Sequence, residues 1–190
     1  MLKRSDIPNL ICVLRILLVA PTVAALLADR FGLALVLVIV AGFSDALDGF
    51  LAKRFDWRSR LGGILDPLAD KLLLVSLYVT LAMLGSIPVW LAGVVLGRDV
   101  IIVAGAATYH AFFGPVQPEP SRASKLNTLA QLVCVVLVLL GSTTELPMAT
   151  LISVAGAAVL VTGVVSGLDY VLRWTLRAAN APPRGPTGSV

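Results

Sequence analysis

"SDALDGFLAKRFDWRSRLGGILDPLADK", residues 44–71, carries four aspartates, Asp45, Asp48, Asp66 and Asp70, into a chain that is otherwise overwhelmingly apolar. Of its 190 residues 58% are hydrophobic and 14% charged, and the mean hydropathy is +0.94. That is far more apolar than a soluble domain requires, so the chain is expected to be an integral membrane protein. A helix crossing the hydrocarbon core takes about 20 apolar residues, so the length suffices for about six spans and no separate soluble domain.

The apolar runs and their punctuation predict an all-α protein with six transmembrane helices, at 7–28, 31–54, 63–83, 87–111, 125–142 and 148–174. The breaks "ADRFG", "GSIP", "GPVQPEPSR" and "GSTTELP" carry turn chemistry. Residues 1–177 are expected to form one membrane domain and 178–190 a disordered tail. Lys3 and Arg4 ahead of a run ending "VAALLA" imitate a signal peptide, but Arg15 inside that run argues for a retained span. Cys12 and Cys134 lie in apolar runs without metal-ligand spacing and read as packing residues.

Orientation follows from the basic residues. With the N-terminus inside, the inner segments hold Lys3, Arg4, Lys53, Arg54, Arg58, Arg60, Arg122, Lys125, Arg173, Arg177 and Arg184, and the outer loops hold only Arg30. Both termini and the loop after the second span are therefore expected on the cytoplasmic side. The basic residues read as membrane-side charge, and no nucleic-acid partner is expected.

Asp45 and Asp48 stand at i and i+3, Asp66 and Asp70 at i and i+4, so each pair shares a helix face. The short loop between their helices is expected to fold them antiparallel and bring all four carboxylates together at the inner surface. Each carboxylate alone in hydrocarbon costs roughly 2.5–3.5 kcal/mol. Four hard oxygen donors suit Mg2+ or Mn2+, and two divalent ions would balance their charge. Gly49, Ala52, Gly62 and Gly63 keep this face small, which lets a bulky ligand approach the backbone. Lys53, Arg54, Arg58 and Arg60 supply cations beside it, either as phosphate contacts or as topology anchors.

In these residues the chain resembles the CDP-alcohol phosphatidyltransferases, whose signature is D-x-x-D-G-x-x-A-R, eight residues, then G-x-x-x-D-x-x-x-D. Here it reads Asp45, Asp48, Gly49, Ala52, Lys53, then Gly62, Asp66 and Asp70, with the spacing kept. Lys53 departs from the family arginine and is followed by Arg54, so either could meet the nucleotide, as a point charge in the case of lysine. The resemblance implies metal-dependent transfer of a phosphatidyl group from CDP-diacylglycerol to an alcohol, with release of CMP. It implies that Asp45, Asp48 and Asp66 hold the metals with help from Asp70, that Asp70 is the base for the acceptor hydroxyl, and that Gly49, Ala52, Lys53 and Gly62 line the nucleotide and diphosphate. A homodimer in a bacterial inner membrane, its site facing the cytoplasm, is implied as well.

Other intramembrane polar residues are functional candidates by default. Arg15 is expected either to touch a lipid phosphate or to pair with a carboxylate. Arg98 and Asp99 point about 100° apart and are expected to find partners on other helices, Asp99 structurally and Arg98 toward the site. Lys71 either snorkels or balances the aspartates. His110 reads as interfacial, and Asn127 with Gln131 as interhelical hydrogen bonders.

For the acceptor, family members using glycerol 3-phosphate resemble "AREIIxxxLR" and "GKxKT" in spans four and five. This chain has "GRDVIIVAGA" and "SKLNT", with Ala106 and Asn127 at the second cationic positions. It is more similar to members that take phosphatidylglycerol and form cardiolipin; glycerol 3-phosphate is the alternative acceptor. Arg15, Arg98 and Lys125 are the candidate acceptor or lipid phosphate contacts. A cation transporter would be expected to show broken helices and repeat symmetry, and a phosphohistidine mechanism needs more than the one histidine present.

Overall fold

The computed structural model describes residues 6–55, 62–113, 121–144 and 146–179, with side chains over the same ranges except 6–10, 46–55, 62–67, 106, 109–113, 174 and 177–179. These residues form six helices: α1 (Asp6–Leu27), α2 (Phe31–Phe55), α3 (Gly62–Met83), α4 (Val89–Phe113), α5 (Arg122–Thr143) and α6 (Ala149–Ala179). All six expected helices are present, and most ends agree within two residues. α5 starts three residues earlier than expected because Ser121, with extended backbone, accepts a hydrogen bond from the Ser124 amide at 3.2 Å and caps the helix. α6 runs five residues further, past residue 178 where the tail was expected to begin; residues 180–190 lie outside the described residues.

The helices close a ring in the order α1, α2, α5, α6, α4, α3, with α3 and α5 also touching across it. The centre is filled by Leu26, Val38, Leu77, Tyr78, Leu81, Val95, Val135, Leu139 and Val159, all essentially inaccessible. The outside is just as apolar: Leu17, Phe43, Val103, Val161 and Leu172 are each more than half exposed. Water would penalise such a continuous apolar surface, whereas lipid tails accept it. α5 and α6 contain apolar stretches long enough to span, Arg122–Thr143 and Ala149–Arg173. The uninterrupted apolar stretches of the first two helices are shorter, Ile11–Leu27 and Phe31–Asp45. Asp45 ends the second of them. Among the described residues the chain is all-α, with the apolar exterior of a membrane protein.

Two tight turns set the helices' spacing. At the end of α3 the Ser86 amide reaches Leu81 O and the Gly85 amide reaches Ala82 O, a six-to-one and five-to-two closure that needs Gly85 at φ +72°. The end of α1 closes the same way, Arg30 to Ala25 and Asp29 to Leu26, with Asp29 at φ +56° in glycine's usual place.

Candidate active site

Direct packing of α2 on α3 was expected to gather the aspartates, but among the described residues no such packing occurs. α1 packs on both helices instead and lies between them. Its Arg15, 1% exposed, reaches both sides with one guanidinium nitrogen: Nη1 is 2.8 Å from Asp45 Oδ1 on α2 and 2.6 Å from Asp70 Oδ1 on α3. One carboxylate from each half of the quoted stretch therefore meets at a single buried cation. Of the two readings of Arg15, the structure gives the pairing with carboxylates. A guanidinium this buried survives in an apolar bundle only when its charge is matched.

Asp45 and Asp70 are 46% and 38% exposed, so their outer faces are open to a ligand while Arg15 closes the inner side. Both donors are carboxylate oxygens, which suits hard divalent cations of the Mg2+ or Mn2+ kind. Among the described residues no third His, Cys, Asp or Glu joins them. Asp48, Gly49, Ala52 and Lys53 continue α2 beyond Asp45, and Gly62 and Asp66 open α3 before Asp70; their side chains lie outside the described residues.

A second charged cluster adjoins the first through Lys71, the residue after Asp70. Lys71 Nζ lies 2.8 Å from Asp99 Oδ1 on α4, and the same oxygen accepts from Arg98 Nη1. Arg98 Nη2 donates to Ser166 Oγ on α6 at 2.9 Å and to Ser124 Oγ on α5. Arg98 and Asp99 find partners on other helices as expected, and the arginine stem is also long enough to fold back onto its neighbour. Four helices thus meet at this cluster. Lys71 balances Asp99 rather than snorkelling. Lys125 is exposed in the first turn of α5, and His110 has no described side chain. Asn127 is fully buried and accepts from Thr162 Oγ1 on α6 at 3.0 Å. At Gln131 only the backbone carbonyl is engaged across helices, by Tyr78 OH at 3.2 Å. Ser124 and Ser166 were not anticipated; a lone serine in an apolar span carries too weak a signal to single out.

Comparison with known proteins gives the same picture. A family model described as CDP-alcohol phosphatidyltransferase matches residues 5–168. The CMP-forming cardiolipin synthase of Homo sapiens is 38% identical over 146 residues, 68% of this chain and 48% of that protein. The cardiolipin synthase (CMP-forming)/mitochondrial hydrolase fusion protein of Schizosaccharomyces pombe is 38% identical over 143 residues, 67% of this chain and 24% of the fusion. A probable phosphatidylglycerophosphate synthase of Mycobacterium tuberculosis (strain ATCC 25618 / H37Rv) is 32% identical over 180 residues, 90% of this chain and 83% of that protein. The chain thus spans a quarter to a half of the first two relatives and most of the third. With the family match running from α1 into α6 and two motif aspartates meeting on one arginine, the chain belongs to the CDP-alcohol phosphatidyltransferase family.

Proposed function

We propose that this protein transfers the phosphatidyl group of CDP-diacylglycerol to phosphatidylglycerol, giving cardiolipin and CMP. The observation that carries the transfer chemistry is the convergence of Asp45 and Asp70 on Arg15, which sets carboxylates from two helices at one opening. Asp45, Asp48, Asp66 and Asp70 would hold two divalent ions, Mg2+ or Mn2+, whose chemistry is to neutralise the diphosphate. In the reaction the acceptor hydroxyl oxygen bonds to the phosphorus that carries diacylglycerol. The bond from that phosphorus to the CMP oxygen breaks, CMP leaves with the electron pair, and the hydroxyl proton passes to the Asp70 carboxylate. Arg15 holds the two carboxylates in register, while Gly49, Ala52, Lys53 and Gly62 receive the nucleotide end. The positive-inside asymmetry supports six spans with both termini and this site on the cytoplasmic side, where CDP-diacylglycerol presents its head group.

The acceptor reading is supported by how few cations remain for a phosphate monoester. Both Nη atoms of Arg98 are already engaged, by Asp99, Ser124 and Ser166, which leaves one N–H for a ligand; Ala106 stands where a second arginine would be, and Asn127 is buried in a bond to Thr162. A phosphodiester anchored by its own acyl chains needs fewer donors. The similarity to the mycobacterial probable phosphatidylglycerophosphate synthase, which extends over most of both chains, favours glycerol 3-phosphate as the second reading. Purified protein given CDP-diacylglycerol, Mn2+ or Mg2+ and each acceptor in turn should form cardiolipin and CMP from phosphatidylglycerol. Efficient phosphatidylglycerophosphate formation with no cardiolipin would replace the acceptor and leave the transfer chemistry standing.

A further inference from the structure

A groove of about 340 Å3 runs between α4 and α6, floored by Gly93 and Gly97 on one helix and Gly163 and Gly167 on the other. Ile101 and Leu168, each about half exposed, form part of its rim. These glycines are not there to let α4 and α6 approach. A Cβ built on Gly93, Gly97 or Gly167 meets nothing within 4 Å, and one on Gly163 makes only ordinary contacts at 3.5 Å. Glycine is among the poorest formers of a helix interior, so the fold tolerates an open channel for which its own packing gives no reason.

Arg98 also lines this groove. It is only 7% exposed, and although both Nη atoms are bonded, the buried Nε–H has no acceptor among the described residues. Among the described residues its cluster also carries surplus charge, because Lys71 and Arg98 share the carboxylate of Asp99. An apolar channel open to the bilayer with a buried, unspent N–H and a net positive charge calls for an occupant that is apolar along its length and anionic at one point.

We propose that the α4–α6 groove seats an acyl chain of the acceptor phosphatidylglycerol, with its phosphodiester at Arg98. The proposal deepens the lipid-acceptor reading and rests on it for the lipid's identity. A helix from a second copy, about 10 Å across with its side chains, would ride over a channel this narrow and bring no anion to Arg98. A single acyl chain lies within it.

The test uses the full chain in nanodiscs containing phosphatidylglycerol with a diazirine in one acyl chain, compared with the same label on phosphatidylcholine. Photolysis and peptide mapping should place the phosphatidylglycerol label on Val94 and Val164, which line the groove on the bilayer-centre side of Arg98, severalfold above the phosphatidylcholine label. Gly97→Leu combined with Gly167→Leu should remove that excess. The same variant should raise the KM for phosphatidylglycerol at least about tenfold, the scale of a misfit in an apolar pocket, and leave the KM for CDP-diacylglycerol within twofold. Equal labelling by the two lipids overturns the proposal, as does groove labelling that the leucines leave unchanged. A high yield of intermolecular disulfide through Val164→Cys would assign the groove to a second copy and overturn it too. Should the double variant not fold, labelling of the parent protein decides. Should the parent make only phosphatidylglycerophosphate, the lipid-acceptor reading fails while the labelling still reports on the groove.

Discussion

Arg15 shows most clearly how one residue organises this site. Its Nη1 serves two carboxylates on two helices, so its positive charge ties α1 to both α2 and α3. Arg15→Lys, which keeps the charge, should therefore retain more than Arg15→Gln, which loses it. Arg15→Gln leaves two carboxylates facing each other and should cost about 2–3 kcal/mol, below the ~3–5 kcal/mol of a fully buried broken pair because both aspartates are partly exposed. Thermal unfolding of the variants in detergent micelles would measure both, and equal loss in the two would refute the charge-pairing account. Asp45→Asn and Asp70→Asn should each abolish most CMP release, as should a chelator acting on the parent protein. Full turnover in EDTA would end the metal reading of these carboxylates.

At the scale of elements, the sequence makes helix existence plain and helix adjacency obscure. Each span is a long apolar run between turn residues, which is why α1 to α6 were all legible. Which helix touches which depends on side chains of unremarkable type. The loop after α2 suggested an α2–α3 pair, but the partner of both is α1, and the only sign of that was an arginine whose mate could not be named. The ion pair of Lys71 with Asp99 was hidden because the two residues lie on different helices and nothing in their spacing joins them. Asn127, which stands at the second cationic position, bonds across helices as expected, and the structure puts that bond in the α5–α6 seam. Asn127→Lys would bury an ammonium there, so a simple switch toward glycerol 3-phosphate by that substitution should fail for lack of folded protein. The same seam explains a glycine: a Cβ on Gly141 would sit 3.2 Å from both Met148 Cβ and Ile152 Cδ1. Gly141→Val should destabilise by about 1–3 kcal/mol through overpacking, while Gly97→Ala, with open space around it, should not destabilise at all. Unfolding midpoints measured side by side would expose an error in either expectation.

At the scale of the whole molecule, the ring of six helices is inside-out by the standards of a soluble protein: packed and apolar within, apolar without, and polar at one end. The eleven inner cations against Arg30 outside predict that a cysteine at position 58 escapes a membrane-impermeant thiol reagent in intact cells, whereas Thr144→Cys is labelled. The opposite pattern would turn the site to the other face of the membrane. The four-aspartate motif was legible because its spacing is so specific; the residues that brace it were not, because a buried ion pair is defined by geometry that a linear pattern does not carry.

The bridge from α1 to α2 and α3 also bears on how the protein is made. Arg15 emerges from the ribosome 55 residues before Asp70, an interval of roughly 3–11 s at about 5–20 residues per second. Through that interval an arginine in hydrocarbon would cost about 2.5–3.5 kcal/mol without its counter-ions. The first helix is thus a poor insertion signal by itself and a good one in company. Nascent chains halted before Asp45 should integrate inefficiently, chains that include α3 should integrate well, and Arg15→Leu should erase the difference. The charge pairing would then double as an assembly checkpoint, committing α1 to the bilayer only once Asp45 and Asp70 have arrived.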